Sequence, residues 1–103
     1  MFEAIKKFFK RETVDYRQMI SEGAVIIDVR TPHEYDSGHI RGSKNIPLAE
    51  IPHRLKSVSD KNKTYITCCA SGMRSASAKS IMKKNGYEKV YNGGGWQSLR
   101  AKI

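Results

Sequence analysis

Residues 24–29, Ala24-Val25-Ile26-Ile27-Asp28-Val29, are strand formers broken only by one acid. The absence of polar alternation is the pattern of a strand covered on both faces in a parallel sheet. Asp28, near its end, needs a partner if it is buried there. The run leads straight into Thr31-Pro32-His33-Glu34, a capping box with proline at the first helical position, so a short helix starts at once. Strand followed directly by helix is the unit from which parallel sheets are wound, and it restricts the chain to an α/β arrangement.

The rest of the chain repeats the alternation. Thr13 is placed to cap a helix that runs to about Ser21 and closes at Gly23. Gly38 ends the helix of the capping box, and Gly42, Pro47 and Pro52 punctuate a connection. Within that connection Lys44-Asn45-Ile46 reads as a short strand, and Ala49 to Val58 as a helix. Asp60-Lys61-Asn62 is a turn. Thr64-Tyr65-Ile66-Thr67-Cys68 is a second central strand, β-branched and aromatic. Ser75 to Asn85 is a helix stopped by Gly86, Tyr87 to Tyr91 is a last strand, and Asn92-Gly93-Gly94-Gly95 turns into a final helix bearing Trp96 and Leu99. A mainly parallel sheet of about five strands, with helices on both faces, is expected.

A chain of 103 residues has room for one small domain. Phe2, Ile5 and Phe9 follow helical spacing, so residues 1–11 are expected to form an amphipathic helix with lysines opposite. The longest aliphatic run is far short of a membrane span, and no apolar core of a secretory signal precedes the domain, so a cytoplasmic protein is expected. Asn62-Lys63-Thr64 matches a glycosylation sequon, which carries no weight without secretion. The net charge is +9, a field that collects anions of any kind: small oxyanions, acidic proteins or nucleic acid. The basic residues lack the aromatic interleaving and glycine-bearing signatures of nucleic-acid modules, which leaves small anions and an acidic partner protein as the favoured company.

The chemistry concentrates at Cys69-Ala70-Ser71-Gly72-Met73-Arg74, which joins a strand end to a helix start. In an open parallel sheet ligands bind outside the carboxyl ends of strands, where loop amides gather at a helix N-terminus. Amides, helix dipole and the Arg74 guanidinium together would favour thiolate over thiol at Cys69. On position alone, an inert buried cysteine competes with this reading. Cys68, on the opposite side of the strand, reads as core, and adjacent cysteines make no structural disulfide. The histidines have no metal-ligand spacing with either cysteine, so no metal site is expected.

Three segments resemble the rhodanese family of sulfurtransferases, in that family's order. Asp28-Val29-Arg30-Thr31-Pro32-His33-Glu34-Tyr35 with Gly38-His39-Ile40-Arg41-Gly42-Ser43-Lys44-Asn45-Ile46-Pro47 looks like its first motif. Cys69-x-x-Gly72-x-Arg74-Ser75 looks like its active-site loop, and Gly93-Gly94-Gly95-Trp96 like its C-terminal signature. The likeness covers about residues 12 to 100. It implies a rhodanese-like three-layer α/β sandwich and sulfane-sulfur transfer without metal or organic cofactor. Cys69 would carry sulfur as a persulfide, taken from thiosulfate or a persulfide donor and passed to cyanide or a thiol. The loop residues Ala70, Ser71, Gly72, Met73, Arg74 and Ser75 would cradle the anion. Asp28, Arg30 and His39 would be structural.

Arsenate reductases and dual-specificity phosphatases of similar fold carry five residues between cysteine and arginine. Here there are four, and the narrower loop favours a single sulfur atom over a tetrahedral oxyanion. Many family members place a basic residue directly after the cysteine where this chain has Ala70, which weakens the case for thiosulfate as donor. Two other readings stay open: a non-catalytic persulfide carrier docking through its basic face, and redox sensing by the thiol pair. The enzymatic reading requires a thiol that ionises easily and is not walled off from solvent.

Overall fold

The computed structural model describes residues 14–103; the amphipathic helix expected over residues 1–11, and Thr13 as a cap, lie outside them. The elements in chain order are α1 (Tyr16–Ser21), β1 (Val25–Asp28), α2 (Pro32–Asp36), β2 (Lys44–Asn45), a 3-10 turn (Leu48–Glu50), α3 (Ile51–Arg54), a second 3-10 turn (Leu55–Val58), β3 (Tyr65–Cys69), α4 (Met73–Lys84), β4 (Val90–Gly95) and α5 (Trp96–Ala101). Among the described residues the sheet has four strands in the order β2-β1-β3-β4, all parallel. That is one fewer than expected: residues 14–103 contain four runs of strand formers, and each supplies one strand.

The period-two alternation of β1 and β3 divides the interior into two cores. Ile27, Val29, Tyr65 and Cys69 face one side with Ile51, Val58, Ala78 and Met82; Ile26, Ile66 and Cys68 face the other with Leu99, against which Tyr16, Met19, Ile20 and Trp96 pack. Helices α3 and α4 cover the first face, α1 and α5 the second, completing three layers. Ile27, Ile46, Ile51, Ile66, Met82 and Leu99 have no exposed surface, each contributing about 1.5–3 kcal/mol of transfer free energy.

Local chemistry explains the departures from the expected elements. Helix α1 starts behind Asp15, whose carboxylate accepts the Gln18 N–H at 3.0 Å. The helix expected over 49–58 breaks into three pieces around Pro52: proline has no N–H for the Leu48 carbonyl, which takes the Ile51 N–H in a tighter turn. Gly72 caps α4 at φ +107°, so the helix begins at Met73 and takes Arg74 and Ser75 into its first turn. The glycines of 92–95 form no turn. They continue β4, which pairs Asn92 with Thr67 and Gly95 with Cys69 and so fits one extra residue against β3, a bulge. A Cβ at Gly93 would lie 2.9 Å from Ile66 Cγ2 and Leu99 Cδ2, so only glycine lets β4 lie this close.

Candidate active site

At the end of β1 the buried acid finds its partner. The Arg30 guanidinium donates to Asp28 through Nε at 3.0 Å and Nη2 at 2.7 Å, and the Arg30 backbone N–H donates to Oδ1 at 3.0 Å. Asp28 is wholly buried and Arg30 is 4% exposed. Arg30 also donates to the carbonyls of Gly38 at 2.7 Å and Glu34 at 3.2 Å, which ties α2 to the sheet. Its guanidinium lies 4.6 Å from the Trp96 ring centre, and that of Arg100 lies 4.8 Å from it. His39 is exposed; its ring stacks on Tyr35 with centroids 3.7 Å apart, and Nδ1 is 2.7 Å from the Tyr35 carbonyl.

Cys69 ends β3 beneath the loop. Its Sγ accepts the Gly72 N–H at 2.9 Å and the Ser75 N–H at 3.4 Å, and lies 3.4 Å from the Ser75 hydroxyl. No side-chain oxygen caps α4; the sulfur takes that place, accepting amides of the first turn that the helix leaves unpaired. Burial pushes the Cys69 thiol up, but the Ser75 hydroxyl and the amides of Ser75, Gly72 and Ser71 outweigh it, and the net direction is down. Cys68 faces the other core, where burial and the neighbouring Asp28 charge push its thiol up to about 12, against the pull of Arg30. Two adjacent thiols are thereby moved in opposite directions.

The expected loop residues divide by role. Gly72 and Ser75 bond the sulfur directly, and Ser71 adds its amide. Ala70 and Ser71 are exposed at the rim, and Met73 turns outward with 81% of its surface exposed. Arg74 makes its side-chain hydrogen bonds to Glu34, while its charge still interacts with that of Cys69. Its Nη1 and Nη2 clasp the Glu34 carboxylate at 2.7 and 3.0 Å, because that carboxylate is already fixed by the capping box through the Thr31 N–H at 3.0 Å. Cys69 exposes 1% of its surface. An incoming molecule must therefore displace part of the rim or reach Sγ through an opening of atomic size.

Two residues of the site were not singled out by the sequence. Glu34 reads fully as a helix cap, and nothing in its spacing points forty residues ahead to Arg74. Asn92 reads as a turn former. In the bulge its Oδ1 accepts the Ser75 hydroxyl at 2.6 Å and the Gly94 N–H at 2.9 Å, while Nδ2 donates to the Gly72 carbonyl at 3.1 Å. Asn92 thus braces both ends of the thiol loop from β4.

The family model of the rhodanese-like domain matches residues 12–102. The chain belongs to the rhodanese-like domain family. It is 42% identical over 74 residues to "Thiosulfate sulfurtransferase PspE" of Escherichia coli strain K12, covering 71% of each chain. It is also 42% identical over 71 residues to "Putative sulfur carrier protein YrkF" of Bacillus subtilis strain 168, covering 69% of this chain and 38% of that relative's length. Among solved structures, "rhodanese with anions from E. coli" superposes with a TM-score of 0.70 at 40% identity, covering 74% of this chain and 91% of the other. The rhodanese-like architecture agrees with the three layers described above. No helix among the described residues is long and apolar enough to cross a membrane, and no group of three or more His, Cys, Asp or Glu among them could hold a metal ion.

Proposed function

We propose that this rhodanese-like chain moves sulfane sulfur through Cys69. The Cys69 thiolate attacks the outer sulfur of thiosulfate; the new S–S bond forms as the old one breaks, leaving a Cys69 persulfide anion and releasing sulfite. A persulfide donor reacts in the same way and leaves as a thiol. Cyanide or an acceptor thiolate then attacks the outer sulfur and restores the Cys69 thiolate. The observation that carries this reading is the placement of Sγ under the Gly72 and Ser75 amides at the N-terminus of α4. Those donors hold a sulfur anion in place with no rearrangement during the reaction. The name of the Escherichia coli relative supports the reading.

The test is direct. Thiocyanate production from thiosulfate and cyanide is followed in the parent chain, Cys69→Ala and Cys68→Ala. Turnover should vanish in Cys69→Ala and persist in Cys68→Ala, with intact mass showing one added sulfur before cyanide arrives. Loss in both variants, or in neither, removes the assignment. The small exposure of Cys69 makes a second measurement informative: a folded protein whose Cys69 resists iodoacetamide for hours has no route to its sulfur.

A second reading, a persulfide carrier that docks an acidic partner, is supported by the surface of α4. That helix carries Lys79, Lys83 and Lys84 and no acid, and the Bacillus subtilis relative is named a putative sulfur carrier. Slow turnover with thiosulfate, together with rapid loading from a cysteine desulfurase that weakens steeply with salt, would select it.

A further inference from the structure

We propose that Glu34 sets the donor preference of the site, toward persulfides and away from thiosulfate, by cancelling the charge of the loop's one arginine. The proposal rests on the sulfur-transfer reading and names the donor class for it.

Every residue of the loop from Cys69 to Ser75 other than Cys69 and Arg74 is uncharged. Arg74 is bound by both carboxylate oxygens of Glu34 at 2.7 and 3.0 Å, with each side chain about one-third exposed. Glu34 cannot swing away without leaving the Thr31 N–H and hydroxyl, which it accepts at 3.0 and 3.1 Å. Its carboxyl is held down to about 2, first by Arg74 and then by the Thr31 amide, so the pair is ionic throughout the working pH range. A second guanidinium at this end of the sheet, Arg30, is committed to the wholly buried Asp28, and a third, that of Arg100, lies against the Trp96 ring. Arg30 and Arg74 thus each meet a carboxylate, and the lysines of α4 begin only at Lys79, beyond the first turn.

What remains for an anion is the set of peptide dipoles around Sγ. They suit one charge, that of a thiolate or persulfide. Thiosulfate brings a dianion to a thiolate and departs as the sulfite dianion, with no free cation in the loop to offset the additional charge. A persulfide on an alkyl thiol brings at most one charge to the reacting end: the Cys69 thiolate takes the outer sulfur, and the donor leaves as a thiolate that is then protonated by solvent. The arrangement of Glu34 and Arg74 therefore discriminates by donor charge, with neither residue needed to touch the sulfur being moved.

Glu34→Gln separates the charge from the cap, because glutamine serves in a capping box as glutamate does but leaves Arg74 uncompensated. Two ratios are read at low salt in the parent chain, Glu34→Gln, Arg74→Gln and the double variant. One is kcat/KM for thiosulfate over that for cysteine persulfide. The other is the alkylation rate of Cys69 by iodoacetate over that by iodoacetamide, which reports the charge felt at the sulfur without any sulfur transfer. Taking ratios removes any change in the thiolate fraction. Both should rise about fivefold in Glu34→Gln, the effect of one unit charge at about 4 Å screened as in bulk water. They should fall in Arg74→Gln, and return close to the parent values in the double variant. Ratios that stay flat across folded members of this ladder overturn the proposal; if Glu34→Gln does not fold, the fall in Arg74→Gln and its recovery in the double variant decide it. If the alkylation ladder is obeyed while neither donor loads sulfur on the parent chain, sulfur transfer itself is refuted and the charge cancellation stands.

Discussion

Replacing Arg30 by methionine tests how the scaffold under the thiol loop is held. Methionine keeps most of the apolar stem and removes the guanidinium. Asp28, with no exposed surface, would then keep only the Arg30 backbone N–H at 3.0 Å and lose the Nε and Nη2 contacts. Stranding a buried charge in this way costs about 3–5 kcal/mol, and the Gly38 and Glu34 carbonyls lose their donors at 2.7 and 3.2 Å as well. A total of about 4–5 kcal/mol is a large part of the 5–15 kcal/mol that a domain of this kind possesses. Urea unfolding followed by far-ultraviolet circular dichroism reads it without disturbance from Trp96, whose ring Arg30 covers. Asp28→Asn in the same chain removes the stranded charge, so the double variant should regain about 2 kcal/mol over Arg30→Met. A single-variant cost below about 1 kcal/mol, or a double variant less stable than the single, would refute the reasoning.

Three other outcomes follow from the geometry. Ser75→Ala removes the hydroxyl 3.4 Å from Sγ, whose one proton is shared out between the sulfur and Asn92 Oδ1 at 2.6 Å; to the extent that the sulfur receives it, the pH profile of Cys69 alkylation by iodoacetamide should move to higher pH, and an unmoved profile assigns the lowered thiol to the amides alone. In Gly95→Ala the new Cβ would lie 2.9 Å from the Ala70 carbonyl oxygen, and the resulting shift of the loop should reduce sulfur transfer on the order of tenfold, measured as kcat/KM; full activity would show that the loop yields freely. Because the Glu34 carboxyl is held at about 2 in the fold against its ordinary 4.5, its contribution is complete above that ordinary value and is lost as pH falls toward the folded one. The urea midpoint of Glu34→Gln should therefore vary less than the parent's between about pH 5 and pH 2, a difference of no more than about 1 kcal/mol for so exposed a pair.

What could be read from the chain was whatever is encoded within a few residues. The capping box at Thr31 to Glu34, the buried run of β1 and the alternation of strands with helices are local, and each appears where the residues place it. The same locality allowed Cys68 and Cys69 to be assigned to opposite faces. The errors arose where a residue serves something distant. Gly93 reads as turn chemistry because glycine usually marks a turn, whereas it is demanded by Ile66 and Leu99 pressing from other elements. The nearness of Arg74 to Cys69 in sequence shows nothing of the carboxylate from α2 that takes its hydrogen bonds. Asn92 braces the loop only because the β4 bulge carries its side chain to Ser75 and Gly72, and a spacing rule holds no trace of that.

The placement of the two thiols on opposite sides of one strand limits how Cys69 can be relieved of whatever it binds. Proteins that discharge a modified cysteine by themselves bring up a second thiol to form an internal disulfide. Here the chain's other cysteine is the adjoining residue, turned into the far core and reluctant to ionise. Among the described residues Cys69 therefore has no resolving thiol; on the sulfur-transfer reading proposed above, a sulfur loaded there would wait for a nucleophile from outside, and the partners the protein meets would set the lifetime of the loaded form.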